Sequence, residues 1–150
     1  GTEGTIWVSI CPGVFSYNRR DCNYYGNVPV FDKIYFSGNL QSDSKGNIWF
    51  LTTTNAMYNK PAYLYMFDGV QWEKHQVGKK SILMDMIVDR DDRVWVCDIR
   101  GVYLRNNGAW ELMRDCGFMY SFNTLFQDSQ GRIWVGRGSF KGEIDLYTEN

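Results

Sequence analysis

Along this chain, runs of consecutive apolar residues alternate with short polar turns at a regular interval. "NIWF", "RVWV" and "RIWV" are apolar at successive positions. A strand with one wet face alternates apolar and polar residues, so unbroken runs of this length fit strands covered on both faces. Each run follows a polar phrase, "DSKGN", "DRDDR" or "DSQGR", and carries Trp49, Trp95 or Trp134 six residues after Asp43, Asp89 or Asp128. The fourth place of the phrase is Gly46, Asp92 or Gly131. It suits a tight turn of positive φ, which glycine takes freely and aspartate tolerates, with the first aspartate as the turn's cap. "GTIWVS" supplies a further copy with Gly4 and Trp7, and the tryptophans recur at steps of 42, 46 and 39 residues.

A second signal falls between these. "FDGVQWE" and "RNNGAWE" each put a hairpin turn, Asp68-Gly69 or Asn107-Gly108, before a strand carrying Trp72 or Trp110. Strands are therefore expected at 34–42, 47–53, 62–67 and 70–76, and again at 82–88, 93–98, 101–105 and 109–113. Four strands per period of about 40 to 45 residues predict an all-β protein of β-propeller type. The expected blades are 1–32, 33–78, 79–117 and 118–150, the first and last incomplete, within a larger propeller or one completed by a second copy of the chain. In that arrangement the repeated tryptophan packs between neighbouring blades. Each buries about 150 to 250 Å2, a gross gain of roughly 4 to 6 kcal/mol.

"LFQDSQGRIWVGR" and "MIVDRDDRVWVCDIRGVYLRNNGAWE" resemble the two-component regulator propeller repeat. Its pattern is an apolar strand, D-x-x-G-x-[IL]-W-[FIV]-G-T, a G-[LV]-Y strand and an N-G-x-W turn. Gly101-Val102-Tyr103 supplies the G-[LV]-Y element. The Gly-Thr pair is replaced by Leu51-Thr52, Cys97-Asp98 and Gly136-Arg137, and Asp92 stands in place of glycine. The resemblance implies the periplasmic or extracellular sensor region of a hybrid two-component histidine kinase of Bacteroides type, anchored through its parent protein in the inner membrane. It implies a non-catalytic role, binding a ligand such as an oligosaccharide or transmitting ligand-driven motion. The repeat is a folding motif, so it carries over no binding residue. The competing readings are a propeller scaffold for protein–protein contacts and an enzyme like the streptogramin lyases, whose phrases "DSKGNIWF" also resembles.

Composition narrows the field. The chain is 44% hydrophobic and 17% aromatic with 15 Gly and 3 Pro, a packed, turn-rich composition. Sixteen Lys and Arg against 17 Asp and Glu give a net charge of -1, which supplies no basic face for nucleic acid. No apolar run reaches the length of a membrane span, and "GTEGTIWVS" lacks the character of a leader, so a secreted form would already have lost one. Cys11, Cys22, Cys97 and Cys116 show no C-x-x-C pair. Cys97 reads as a buried hydrophobe; Cys11 and Cys22 leave the compartment open, with a bridge across one hairpin as the minority alternative, available only in an oxidising environment.

No cofactor or metal is expected. His75, the only histidine, is expected at a solvated surface, and "DRDDR" lacks the further oxygen ligands of a calcium loop. Ligand contacts are expected from the loops joining the second strand to the third and the fourth to the next blade, which gather at one mouth. These give Tyr58, Lys60, Lys79, Lys80, Asp98, Arg100, Arg137, Phe140 and Lys141. Cations and aromatics together suit an anionic sugar, through charge pairing and ring stacking; a solvated loop surface explains the same residues.

Overall fold

A computed structural model describes residues 4–10, 13–25, 34–54, 62–78, 82–115, 121–138 and 143–147. These form 14 strands in four antiparallel sheets, with no helix among the described residues. The first sheet holds β1 (Ile6–Ile10), β2 (Gly13–Tyr17) and β3 (Cys22–Tyr25). The second holds β4 (Ile34–Ser42), β5 (Ile48–Thr54), β6 (Ala62–Phe67) and β7 (Trp72–Val77). In the third are β8 (Leu83–Val88), β9 (Val94–Asp98), β10 (Gly101–Asn106) and β11 (Ala109–Asp115). The fourth is β12 (Ser121–Gln127), β13 (Ile133–Gly138) and β14 (Glu143–Tyr147). Strands neighbour one another in chain order within each sheet, the meander of a propeller blade. Every strand expected for the second and third repeats is present, its ends displaced by no more than two residues.

The hairpins form where backbone chemistry demands them. Gly46, Asp92 and Gly131 have φ of 86°, 59° and 83°, so the fourth place of the phrase does sit in the left-handed region. In the outer hairpins Asn107 and Gly108 both take positive φ, while Asp68 Oδ1 accepts the amides of Val70 and Gln71.

The sheets stack face to face through three apolar interfaces. Val14 of the first sheet packs with Phe50 and Tyr65 of the second, flanked by Trp7. Trp49, Leu51, Leu64 and Met66 of the second meet Leu83, Met86, Val94 and Val96 of the third. Ile87, Trp95, Cys97, Val102 and Leu104 of the third meet Leu125, Ile133 and Val135 of the fourth. Trp49 and Trp95 are each only 3% exposed, as wedges between blades should be. Trp7 and Trp134 are half-buried.

His75 corrects the expectation of a solvated surface residue. Its ring lies 5.2 Å from that of Trp49, and its side chain is 14% exposed. It sits on β7, but pairing with Leu64 turns it toward the interface with the third sheet, where the Arg105 guanidinium covers Trp49 at 5.1 Å. Burial, with the nearby Arg105 charge, lowers the His75 pKa against the opposing pull of Glu73.

Candidate functional site

Three groups of polar side chains organise the blades. At the turns, each repeated aspartate does more than cap. Asp89 Oδ1 accepts the amides of Asp91 and Arg93, both at 2.9 Å, while Oδ2 accepts Arg93 Nε at 2.8 Å and the indole N–H of Trp95 at 2.9 Å. Asp43 and Asp128 do the same for Trp49 and Trp134, at 3.1 and 2.8 Å. The six-residue offset is therefore the span needed for the capping carboxylate to reach the indole nitrogen. These donors hold the Asp128 carboxyl well below its ordinary range, the Trp134 indole contributing most.

The second group links consecutive blades along their first strands. Asp85 Oδ1 accepts Asn39 Nδ2 from the preceding sheet and the amide of Met86. Its Oδ2 accepts Thr124 Oγ1 at 3.2 Å and the Leu125 amide at 2.8 Å from the following sheet. Asn39 Nδ2 also reaches the Met86 carbonyl, and Gln41 Oε1 accepts the Val88 amide. One carboxylate thus ties three blades together through four donors. Sequence reasoning passed over it, although Asn39, Asp85 and Thr124 each stand ten residues before a repeated tryptophan.

The third group lies at the strand ends opposite the Asp-to-Trp turns, where ligand contacts are expected. Asp98 and Arg137 occupy equivalent places, three residues after Trp95 and Trp134. Each pairs with a residue near the start of its sheet's first strand, Asp98 with Leu83 and Arg137 with Phe122. They therefore stand at the same end of adjoining blades. Asp98 is fully buried, and its Oδ1 accepts the amides of Arg100 and Gly101, closing the turn that presents Arg100 to solvent. The structure thus gives Asp98 a role in shaping the turn. A Cβ placed on Gly78 would lie 3.3 Å from the Tyr103 hydroxyl and 3.7 Å from Asp98 Oδ2, so the second blade's exit reaches the same spot. Burial first, and then the Asp98 charge, raises the Tyr103 pKa, so this phenol stays a neutral hydrogen-bond donor at physiological pH. Sequence reasoning did not pick out Gly78 or Tyr103 for this place. Tyr58, Lys60, Lys79, Lys80, Phe140 and Lys141 lie outside the described residues.

Residues 118–136 match the family model described as two component regulator propeller. This stretch is similar to a two-component regulator propeller repeat. By fold, the chain is similar to a catalytically inactive variant of virginiamycin B lyase from Staphylococcus aureus with quinupristin, at a TM-score of 0.67 and 14% identity. That alignment covers 99% of this chain and 53% of the other, so this chain spans about half the length of that protein. Selenomethionine-substituted virginiamycin B lyase from Staphylococcus aureus aligns at a TM-score of 0.51 and 12% identity over 98% of this chain and 67% of the other. At these identities the likeness is one of fold, a β-propeller. No curated protein sequence matches the chain.

The geometry explains the propeller repeat's pattern position by position. In the third blade, a Cβ on Gly101 would fall 2.5 Å from the Arg114 carbonyl oxygen, so the strand pair closes only over glycine. Val102 fills the interface with the fourth blade, and Tyr103 reaches Asp98. In the fourth, a Cβ on Gly136 would meet Thr124 Cγ2 at 2.7 Å. Where the third blade has Asp92 in place of the glycine of the other two turns, its carboxylate accepts the amide and hydroxyl of Ser44 in the preceding blade's turn.

Cys97 is buried and its thiol pKa pushed up by burial, which removes thiolate chemistry at neutral pH. Cys22 is an exposed free thiol whose backbone pairs with Tyr17, so it forms no bridge in this structure; Cys11 lies outside the described residues. Among the described residues, no group of three or more His, Cys, Asp or Glu could hold a metal ion, and no helix is long and apolar enough to cross a membrane.

Proposed function

We propose that this chain is a non-catalytic, extracytoplasmic sensor propeller segment of a two-component signalling protein. The observation that carries the reading is the match of residues 118–136 to the two component regulator propeller model. The repetition of the same Asp-to-Trp bond in the second and third blades supports it. The ligand end is the one bearing Asp98, Arg100, Arg137 and Tyr103, and its ligand class is an anionic oligosaccharide. Arg100 is exposed on a turn fixed by a buried carboxylate, so a cation stands on a rigid platform.

Two measurements test the proposal. The open reading frame encoding this segment should contain a membrane span and a histidine kinase; a cytosolic chain without either would overturn the sensor assignment. Calorimetric titration with uronic-acid oligosaccharides should show binding that Arg100→Ala weakens by about tenfold, the loss of roughly one charge-assisted hydrogen bond. Binding of equal strength to neutral and anionic sugars, unchanged in that variant, would refute the ligand class.

A further inference from the structure

The first and second blade junctions bring the same three positions together and fill them with different chemistry. Strand register makes Tyr25 of the first blade the counterpart of His75 on the second, and Phe67 of the second the counterpart of Arg105 on the third. At the first junction Tyr25 stacks on Trp7 at 5.4 Å, and Phe67 meets these two rings at 4.9 and 6.1 Å. At the second, the His75 ring lies 5.2 Å from Trp49 and the Arg105 guanidinium 5.1 Å from the same indole. A neutral aromatic set is enough for packing, so the cationic pair has another reason to be there.

That pair leaves two donors over. Arg105 Nε and His75 Nε2 are both buried, and neither is hydrogen-bonded to a described residue. Buried N–H groups are bonded in the great majority of native structures, so two orphans at one junction point to an acceptor that comes from outside. Glu73 Oε2 stands 3.4 Å from His75 Nε2 without bonding it, and its side chain is 46% exposed. From β8, β9 and β11 come the apolar Met86, Val88, Val94, Val96 and Trp110, and from β10 the neutral phenol of Tyr103. Among the described residues, Glu73 and Arg105 are therefore the charged groups facing His75.

We propose that the rim between the second and third blades binds the carboxylate of a small organic acid between His75 and Arg105. A carboxylate approaching side-on pairs one oxygen with Arg105 Nε and the other with a terminal guanidinium nitrogen, the fork that these two groups share. His75 Nε2 donates a third bond, stronger once the ring is protonated, so binding tightens as pH falls through the histidine's range. Glu73 is the competing negative charge at the entrance. Arg105 stands near the far end of β10 from the Asp98 turn, so this site is separate from the proposed sugar end and stands or falls apart from the sensor assignment.

Proton NMR on the whole chain tests it, because His75 is the only histidine and gives a single Cε1–H signal to follow. In sodium acetate at about 100 mM, against sodium chloride of equal ionic strength, the midpoint of the His75 titration should rise by about half a unit, the linkage expected of a site with a dissociation constant on the order of 10 mM that prefers the protonated ring about fivefold. Arg105→Phe copies Phe67 of the first junction, so it should fold, as circular dichroism would show, and lose the acetate response. Arg105→Gln, which keeps the stem without the fork, should lose it too. Glu73→Gln removes the competing charge and should lower the acetate concentration for half effect by about twofold. Equal midpoints in acetate and chloride, a response that survives in either folded Arg105 variant, or a Glu73→Gln chain that needs more acetate would each overturn the site.

Discussion

Replacing Asp89 with asparagine changes the hydrogen-bonding sense of one side-chain atom while keeping its shape. The carboxylate is fully buried and accepts four donors, two on each oxygen. An amide has one accepting oxygen, so whichever way it is flipped, two N–H donors face an NH2 group. In the flip that spares the turn's backbone, those donors are Arg93 Nε and the buried Trp95 indole. Hydrogen bonds to a charged partner contribute about 1.5 to 3 kcal/mol each, and part of the arginine's bonding is recovered by water. We expect Asp89→Asn to cost about 3 kcal/mol, a fall of roughly 6 to 12 °C in Tm for a chain of this size. Urea denaturation combined with Trp95→Phe in a double-mutant cycle isolates the indole bond, with an expected coupling of about 1 to 2 kcal/mol. Asp91→Asn is the control: that side chain is 71% exposed and should shift stability by less than about 0.5 kcal/mol. A cost for Asp89→Asn below about 1 kcal/mol, or additivity with Trp95→Phe, would refute the reasoning.

Three further outcomes follow from the same geometry. Asp92→Ala should destabilise more than Asp92→Gly by about 1 kcal/mol in thermal melts, since both lose the Ser44 clasp but only alanine bears the strain of a φ of 59°. Equal melting temperatures would disprove it. Gly101→Ala should cost more than Gly136→Ala, because its Cβ meets a backbone carbonyl whereas that of Gly136 meets the movable Thr124 methyl; about 2 kcal/mol is expected for the former. The reverse order in denaturant titrations would count against the packing described. His75 has a folded-state pKa below its unfolded value, so the unfolded chain binds the proton first as pH falls. Its contribution is intact above about pH 6.5 and declines below it. His75→Phe should flatten the slope of stability between pH 6.5 and 5, and an unchanged slope would contradict the burial of that ring.

Much of the fold was legible because its causes are local. A turn that needs positive φ selects glycine or aspartate wherever it recurs, and a strand covered on both faces is apolar throughout, so the period and strand ends could be placed. The candidate site was less legible. Asp98 was noticed as a loop residue, but its burial and its bonds to the amides of Arg100 and Gly101 depend on the surrounding blades. Asp85 was missed because its four partners come from three blades and are brought together only by stacking.

By itself, then, the sequence determined the blade: four strands, two kinds of hairpin, and a tryptophan at a set distance from an aspartate. Only the tertiary structure decided what those residues touch. His75 lies on an outer strand in a polar phrase beside Trp49 of its own sheet, yet the next blade, whose Arg105 covers Trp49, closes over that face, since packing between sheets joins residues that no local pattern relates. The same stacking made Asp89 an acceptor for an indole and left Ile6 and Ile144, apolar like their buried counterparts, open to solvent.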